Sequence, residues 1–208
     1  MAKTIVALGD STTAGTPGFL SPREAPPDGR GDVTSQYAYW LMEAHRDWTV
    51  INQGINGQRS DEIRARFDED VIAKQPAAVV IIAGVNDVYQ GRDPGHVERE
   101  LAAMYERAHQ AGITIVAGTI LPYDTATAEQ NGRMREINGW IAQQARSSPE
   151  ILFADTRAAA ASPSNPDLLR SSPDGLHPDS DGYRRMADAL APAIARVMRS
   201  RDARTQGL

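Results

Sequence analysis

Four short polar segments bring a hydroxyl, an imidazole, a carboxylate and several hydrogen-bond donors into one chain. They are Gly9-Asp10-Ser11, the run Asn52-Gln53-Gly54-Ile55-Asn56-Gly57, Gly84-Val85-Asn86-Asp87 and Asp174-Gly175-Leu176-His177. A serine hydroxyl is a weak nucleophile until a base takes its proton. The tetrahedral intermediate of acyl transfer also needs fixed donors around its oxyanion, each worth roughly 2.7–4 kcal/mol of barrier. Ser11 supplies a hydroxyl, and its own N–H can donate. Gly54 lets a backbone N–H approach closely because no Cβ intrudes, and Asn86 offers a side-chain amide. Acyl transfer is the chemistry these residue types fit.

The base must come from His45, His96, His109 or His177. His45 and His109 fall in the last turns of predicted helices, where a cation suits the helix dipole. His96 opens a helix among charged residues, a position expected to be solvated. His177 stands apart. Pro178 biases it to an extended backbone, and Asp179 or Ser180 can cap a following helix. Asp174, three residues earlier across a glycine, can accept from the imidazole Nδ1–H and leave Nε2 free to face Ser11. Asp10 and Asp87 adjoin the site and are expected to hold loops through backbone hydrogen bonds.

Such residues need elements that bring them together. Five β-type runs, Thr4–Leu8, Trp48–Asn52, Ala78–Ala83, Ile113–Gly118 and Ile151–Ala154, alternate with helical patterns. Val79-Val80-Ile81-Ile82 and Ile113-Thr114-Ile115-Val116 are apolar without strict alternation, as suits parallel strands covered on both faces. Between them lie stripes of 3.6-residue period: Tyr37, Trp40, Leu41 and Ala44, then Val97, Leu101, Met104, Tyr105 and Ala108. The second helix is expected to start at Asp93-Pro94 and stop at Gly112. A third is expected over about Gly132–Arg146, and a last one from about Ser180, kinked at Pro192. This alternation predicts an α/β fold, a three-layer α/β/α sandwich around a five-stranded parallel sheet of order 2-1-3-4-5. The polar segments then lie beyond the carboxyl ends of strands 1, 2 and 3, where such sheets bind ligands.

Composition narrows the classes. The chain has 208 residues, and a net charge of −5 argues against a nucleic-acid or anionic-membrane partner. It contains no cysteine, which removes disulfides, thiolate metal sites and a cysteine nucleophile. The apolar run after Met1-Ala2-Lys3 is too short for a signal peptide or a membrane span, so the chain as written reads as cytoplasmic. Residues 1–208 read as one domain, with about 200–208 as a frayed tail. No Gly-x-Ser-x-Gly elbow, Walker loop, Gly-x-Gly-x-x-Gly or His-Glu-x-x-His occurs.

Together the four segments resemble the SGNH, or GDSL-type, hydrolases. The resemblance spans residues 9 to 178 and implies a flavodoxin-like fold and a serine esterase. By it, Ser11 is the nucleophile, His177 the base and Asp174 its orienter, while Ser11, Gly54 and Asn86 hold the oxyanion and Asp10 and Asp87 support them. Thr12 stands where the family name implies leucine. The resemblance implies no metal or organic cofactor, and a small-molecule ester as the partner; it leaves oligomeric state open. Few aromatics and no membrane-binding amphipathic stretch favour a short acyl chain. A carbohydrate acetylesterase, a lysophospholipase or a thioesterase could use the same machinery, whereas a non-catalytic binding module would require the loss of one of the four positions. Thr16–Asp32, Tyr89–Gly95 and Tyr123–Asn131 are expected to rim the pocket.

Overall fold

The computed structural model describes residues 3 to 205, with side chains to position 200. Five strands form the central sheet: β1 (Lys3–Gly9), β2 (Trp48–Gly54), β3 (Ala78–Ile82), β4 (Thr114–Gly118) and β5 (Ile151–Ala154). Their order is β2-β1-β3-β4-β5 and every pairing is parallel. This is the predicted α/β/α sandwich with the predicted order.

Nine α-helices occur among the described residues: α1 (Ser11–Ala14), α2 (Tyr37–Ala44), α3 (Ser60–Ala65), α4 (Phe67–Asp70), α5 (Val85–Tyr89), α6 (Pro94–Gln110), α7 (Ala128–Ser147), α8 (Thr156–Ala160) and α9 (Ser180–Thr205). Successive residues of β1 serve opposite cores. Ile5 and Ala7 join Tyr37 and Leu41 of α2 and Met186, Leu190 and Ile194 of α9. Val6 and Leu8 join Ile63 of α3, Leu101 and Met104 of α6 and Ile137 of α7. Burial on both faces explains why the strands are apolar without alternation. Each fully buried aliphatic side chain contributes about 1.5–3 kcal/mol.

Helix ends follow local chemistry. The Asp93 carboxylate accepts from Gly95 N–H at 2.8 Å, with Pro94 in the first turn of α6. Helix α7 begins four residues before the predicted Gly132. Thr127 Oγ1 accepts from Gln130 N–H at 3.2 Å and Gln130 Oε1 accepts from Thr127 N–H at 2.9 Å, a capping box. Helix α9 runs through Pro192 and on to Thr205; positions 206–208 of the expected tail lie outside the described residues. No described helix is long and apolar enough to cross a membrane.

The register aligns the strand ends that carry the polar segments. Gly9 of β1 pairs with Gly54 of β2 on one side and Ile82 of β3 on the other. Beyond this line α1 lies directly against β2, and a Cβ at position 54 would stand 2.1 Å from Ala14 N and 2.5 Å from Ala14 Cα. Backbone atoms cannot yield as a flexible side chain would. Gly54→Ala should therefore displace α1, lowering stability by about 1–3 kcal/mol and the melting midpoint by several degrees, with loss of the turn that carries Ser11. Calorimetry of the variant checks this; an unchanged midpoint would mean that the two elements can part freely.

Candidate active site

Ser11 opens α1. Asp10, the N-cap, is completely buried, and its Oδ1 accepts from Thr12 N–H at 2.9 Å, fixing the turn that presents the serine. His177 enters from the loop before α9. There Asp174 Oδ1 accepts from the N–H groups of Leu176 (2.9 Å) and His177 (2.8 Å), while Ser172 Oγ donates to His177 O at 2.6 Å. Asp179 Oδ1 accepts from Gly182 N–H at 2.7 Å and caps α9.

These supports bring together residues 166 positions apart: His177 Nε2 lies 2.9 Å from Ser11 Oγ. On the other side of the ring, Nδ1 lies 2.7 Å from Asp174 Oδ2. Partial burial pushes the Asp174 carboxyl up, but the His177 ring and the two backbone N–H groups outweigh it and hold it below the usual carboxylate value. The carboxylate thus stays ionised beside the imidazole.

Ser11, Thr12, Gly57, Asn86 and His177 open onto one cleft of about 300 Å³. Asn86 Nδ2 donates to Gln58 O at 2.9 Å, which steadies the amide and leaves its second N–H free to point elsewhere. Gly54 requires a correction. It does not border the cleft, and its N–H is already donated to Asn52 Oδ1 at 2.9 Å. Its lack of a side chain serves the contact with α1. Gly57, at φ +74° with open space about it, is the glycine of this loop that borders the cleft. Asn52, two residues before Gly54, carried the available signal, because asparagine side chains accept from backbone N–H groups two residues on.

Asp87 holds the loop that leads into α3. Its carboxylate accepts from Ser60 N–H at 2.8 Å and Ser60 Oγ–H at 3.0 Å. Arg66, which the sequence did not single out, is buried beneath the site. Its Nε donates to Gln58 Oε1 at 2.7 Å, its Nη2 to Gly9 O at 2.8 Å, and its Nη1 pairs with Asp70.

Other expectations shift. His96 is half-buried rather than solvated, with Nε2 2.8 Å from Arg92 Nη1. Among the described residues, Asp61, Asp87 and His96 bring ligand atoms within 4.8 Å of one another. Arg92 Nη1 already stands among them, 3.1 Å from Asp61 and 4.0 Å from Asp87, and fills the cationic role there. His45 caps α2 and stacks on Trp48 at 3.7 Å, and His109 in the last turn of α6 pairs with Glu150. Tyr89 and Tyr123 border the cleft as expected, but no residue of Thr16–Asp32 lines it. That segment braces the β2 loop: Ser21 Oγ donates to Gly54 O, Thr16 Oγ1 pairs with Asn56, and Glu24 accepts from Asn56 N–H at 3.0 Å. It also contains a short hairpin of Phe19–Leu20 with Arg30–Gly31.

The parallel sheet gathers a serine, a histidine and an aspartate at its carboxyl edge, and residues 7–185 match the GDSL-like lipase/acylhydrolase family. The chain belongs to that family and is a carboxylic ester hydrolase. It is 30% identical over 160 residues to an acetylxylan esterase of Geobacillus stearothermophilus, covering 70% of this chain and 71% of the relative. It is 26% identical over 157 residues to the esterase TesA of Pseudomonas aeruginosa, covering 74% and 73%. A crystal structure of a GDSL-like lipase from Bacteroides thetaiotaomicron superposes with a TM-score of 0.74 at 25% identity, covering 94% of this chain and 89% of that one.

Burial pushes the Asp10 carboxyl up from 3.8 to about 7, with the charge of Asp87 adding to it and the Thr12 hydrogen bond and Arg66 opposing it. The folded state therefore holds this proton through a window in which the unfolded chain has lost it. Stability from this group is full below pH 3.8 and declines as pH rises to about 7, by up to about 4 kcal/mol at 1.36 kcal/mol per pKa unit. Asp10→Asn keeps the oxygen that caps Thr12 and removes the ionisation. The variant should gain stability relative to wild type as pH rises from 4 to 7 and no further above that range. Urea titrations across this range measure the difference, and a flat difference curve would contradict it.

Proposed function

We propose that this protein hydrolyses short-acyl carboxylic esters through an acyl-enzyme on Ser11, with residues 1–208 acting as one domain. The observation that carries the reading is the continuous relay Ser11 Oγ–His177 Nε2–His177 Nδ1–Asp174, at 2.9 and 2.7 Å. In this mechanism His177 takes the Ser11 proton as Oγ attacks the ester carbonyl, and Asp174 stabilises the imidazolium and holds its tautomer. His177 then gives the proton to the leaving alcohol, and a water activated by the same imidazole releases the acid.

The oxyanion falls between Ser11 N–H, Gly57 N–H and the free N–H of Asn86 Nδ2. Gly57 replaces Gly54 in this role because it borders the cleft, and no hydrogen bond from its N–H occurs among the described residues. Thr12 takes the position next to the nucleophile without entering the relay. The modest cleft supports a small acyl group, and similarity to an acetylxylan esterase supports acetyl as the group transferred.

Ser11→Ala should abolish turnover of 4-nitrophenyl acetate, and an organophosphate should label the wild type at Ser11 alone. Retained turnover in the variant would overturn the assignment. Asn86→Ala should lower kcat by about 10²–10³-fold, and Asp174→Asn by about 10⁴-fold. Asp87→Asn, which acts only through the loop, should cost far less; equal losses for Asp174 and Asp87 in steady-state assays would remove Asp174 from the relay.

A further inference from the structure

One polar atom in the wall of the cleft has no partner. Tyr123 borders the cleft and is only 2% exposed, yet its Oη makes no hydrogen bond among the described residues. An unsatisfied buried hydroxyl is destabilising, and phenylalanine would fill the same space without that penalty. Burial raises the pKa of this phenol, with Tyr89 adding to it, so the group stays protonated at neutral pH and can donate.

Its location assigns it to one half of an ester. Asp124, the next residue, donates its N–H to Gly175 O at 2.8 Å and accepts from Leu169 N–H at 2.9 Å. Tyr123 is thereby tied to the loop that carries His177. The leaving alcohol must lie on this side, because the imidazole returns the serine proton to its oxygen. Gly57 and Asn86 lie with the acyl oxygen instead.

Tyr89 completes the wall. Its ring centroid lies 5.8 Å from that of Tyr123 at 59°, and it is 57% exposed, the most open large apolar side chain among the described residues. It ends α5, followed by Gln90 and by Gly91 at φ +80°. An exposed aromatic face beside a buried donor suits a ring with an apolar face and peripheral hydroxyls. A plain aliphatic alcohol would cover the wall and leave the Tyr123 hydroxyl unpaired.

Building on the esterase reading above, we propose that Tyr89 and Tyr123 form the alcohol subsite and that the alcohol is a polyhydroxylated ring of the sugar class. The apolar face of the sugar lies on Tyr89, and one of its hydroxyls pairs with Tyr123 Oη once the Tyr89 ring turns aside. The test compares two acetyl esters that differ only in the alcohol: a mono-acetylated methyl glycoside and ethyl acetate. Wild type should prefer the glycoside in kcat/KM. Tyr123→Phe should lower the ratio of the two kcat/KM values about tenfold, and Tyr89→Ala should lower it mainly through KM for the glycoside.

A ratio unmoved by Tyr123→Phe overturns the proposal, as does wild type that cleaves ethyl acetate and ignores the glycoside. Labelling of Ser11 by an organophosphate provides a readout independent of turnover. The free methyl glycoside should slow labelling of wild type more than of Tyr123→Phe, and equal slowing overturns the subsite. If wild type cleaves neither ester and Ser11 resists the organophosphate, the esterase reading fails together with the subsite; failure of the ratio alone removes only the subsite.

Discussion

Helix α1 lies so close to β2 that a methyl group at position 54 would come within 2.1 Å of a backbone nitrogen. This contact determines where the nucleophile begins. The chain leaves β1 at Gly9, turns once at Asp10 and must place Ser11 over the sheet edge before α1 ends at Ala14. Asn52 locks the arrangement: its amide donates to Ala14 O at 3.1 Å and Gln36 Oε1 at 2.7 Å, and its carbonyl accepts from Gly54 N–H. One buried side chain thus satisfies the end of α1, the end of β2 and the entry to α2. The His177 loop arrives from the far end of the chain, and its 2.9 Å contact with Ser11 is only as well placed as this packing.

Beneath the nucleophile the structure uses buried charge, which is costly unless each group is paired. Arg66 meets this condition by donating to Gly9 O and Gln58 and by pairing with Asp70. It therefore links the end of β1 to the loop that carries Gly57. Asn86 and Asp87 grip the same loop from α5 through Gln58 O and Ser60. The donors proposed for the oxyanion are held by hydrogen bonds to the backbone on both sides. That fixed arrangement is what electrostatic stabilisation of a transition state requires.

The layers were legible because their physics is local. A strand buried on both faces reads as an unbroken apolar run, and Val79 to Ile82 show this pattern. Asp174 and His177 were legible because three residues and a glycine suffice to close their hydrogen bond. Which of two glycines in one loop offers a free N–H was not. Gly54 and Gly57 differ in what their neighbours do: Asn52 consumes one N–H, while a left-handed turn brings Gly57 to the cleft. Arg66 was equally hidden, because it meets Gly9 across 57 positions and no spacing rule anticipates that contact. The early start of α7 was written in Thr127-x-x-Gln130, but the apolar stripe begins only at Met134 and drew the boundary inward.

The two aspartates nearest the reacting groups show how environment assigns roles that residue type leaves open. Asp10 is adjacent to Ser11, completely buried and raised to about 7, with one oxygen unpaired among the described residues. Asp174 is partly open to solvent, and three hydrogen bonds to the His177 loop hold its pKa down. A partner for a developing imidazolium must be anionic before the proton arrives, so a carboxyl that resists ionisation near neutral pH is unsuited to the task. Asp10 also commits its Oδ1 to Thr12 N–H, which holds the turn rather than the ring. Adjacency to Ser11 points to Asp10, whereas proximity to His177, desolvation and hydrogen bonding point to Asp174, and the 2.7 Å contact with Nδ1 agrees with the latter. The buried acid then has a mechanical part in the site and the half-exposed one an electrostatic part, opposite to what burial alone would suggest for a charge meant to act at close range.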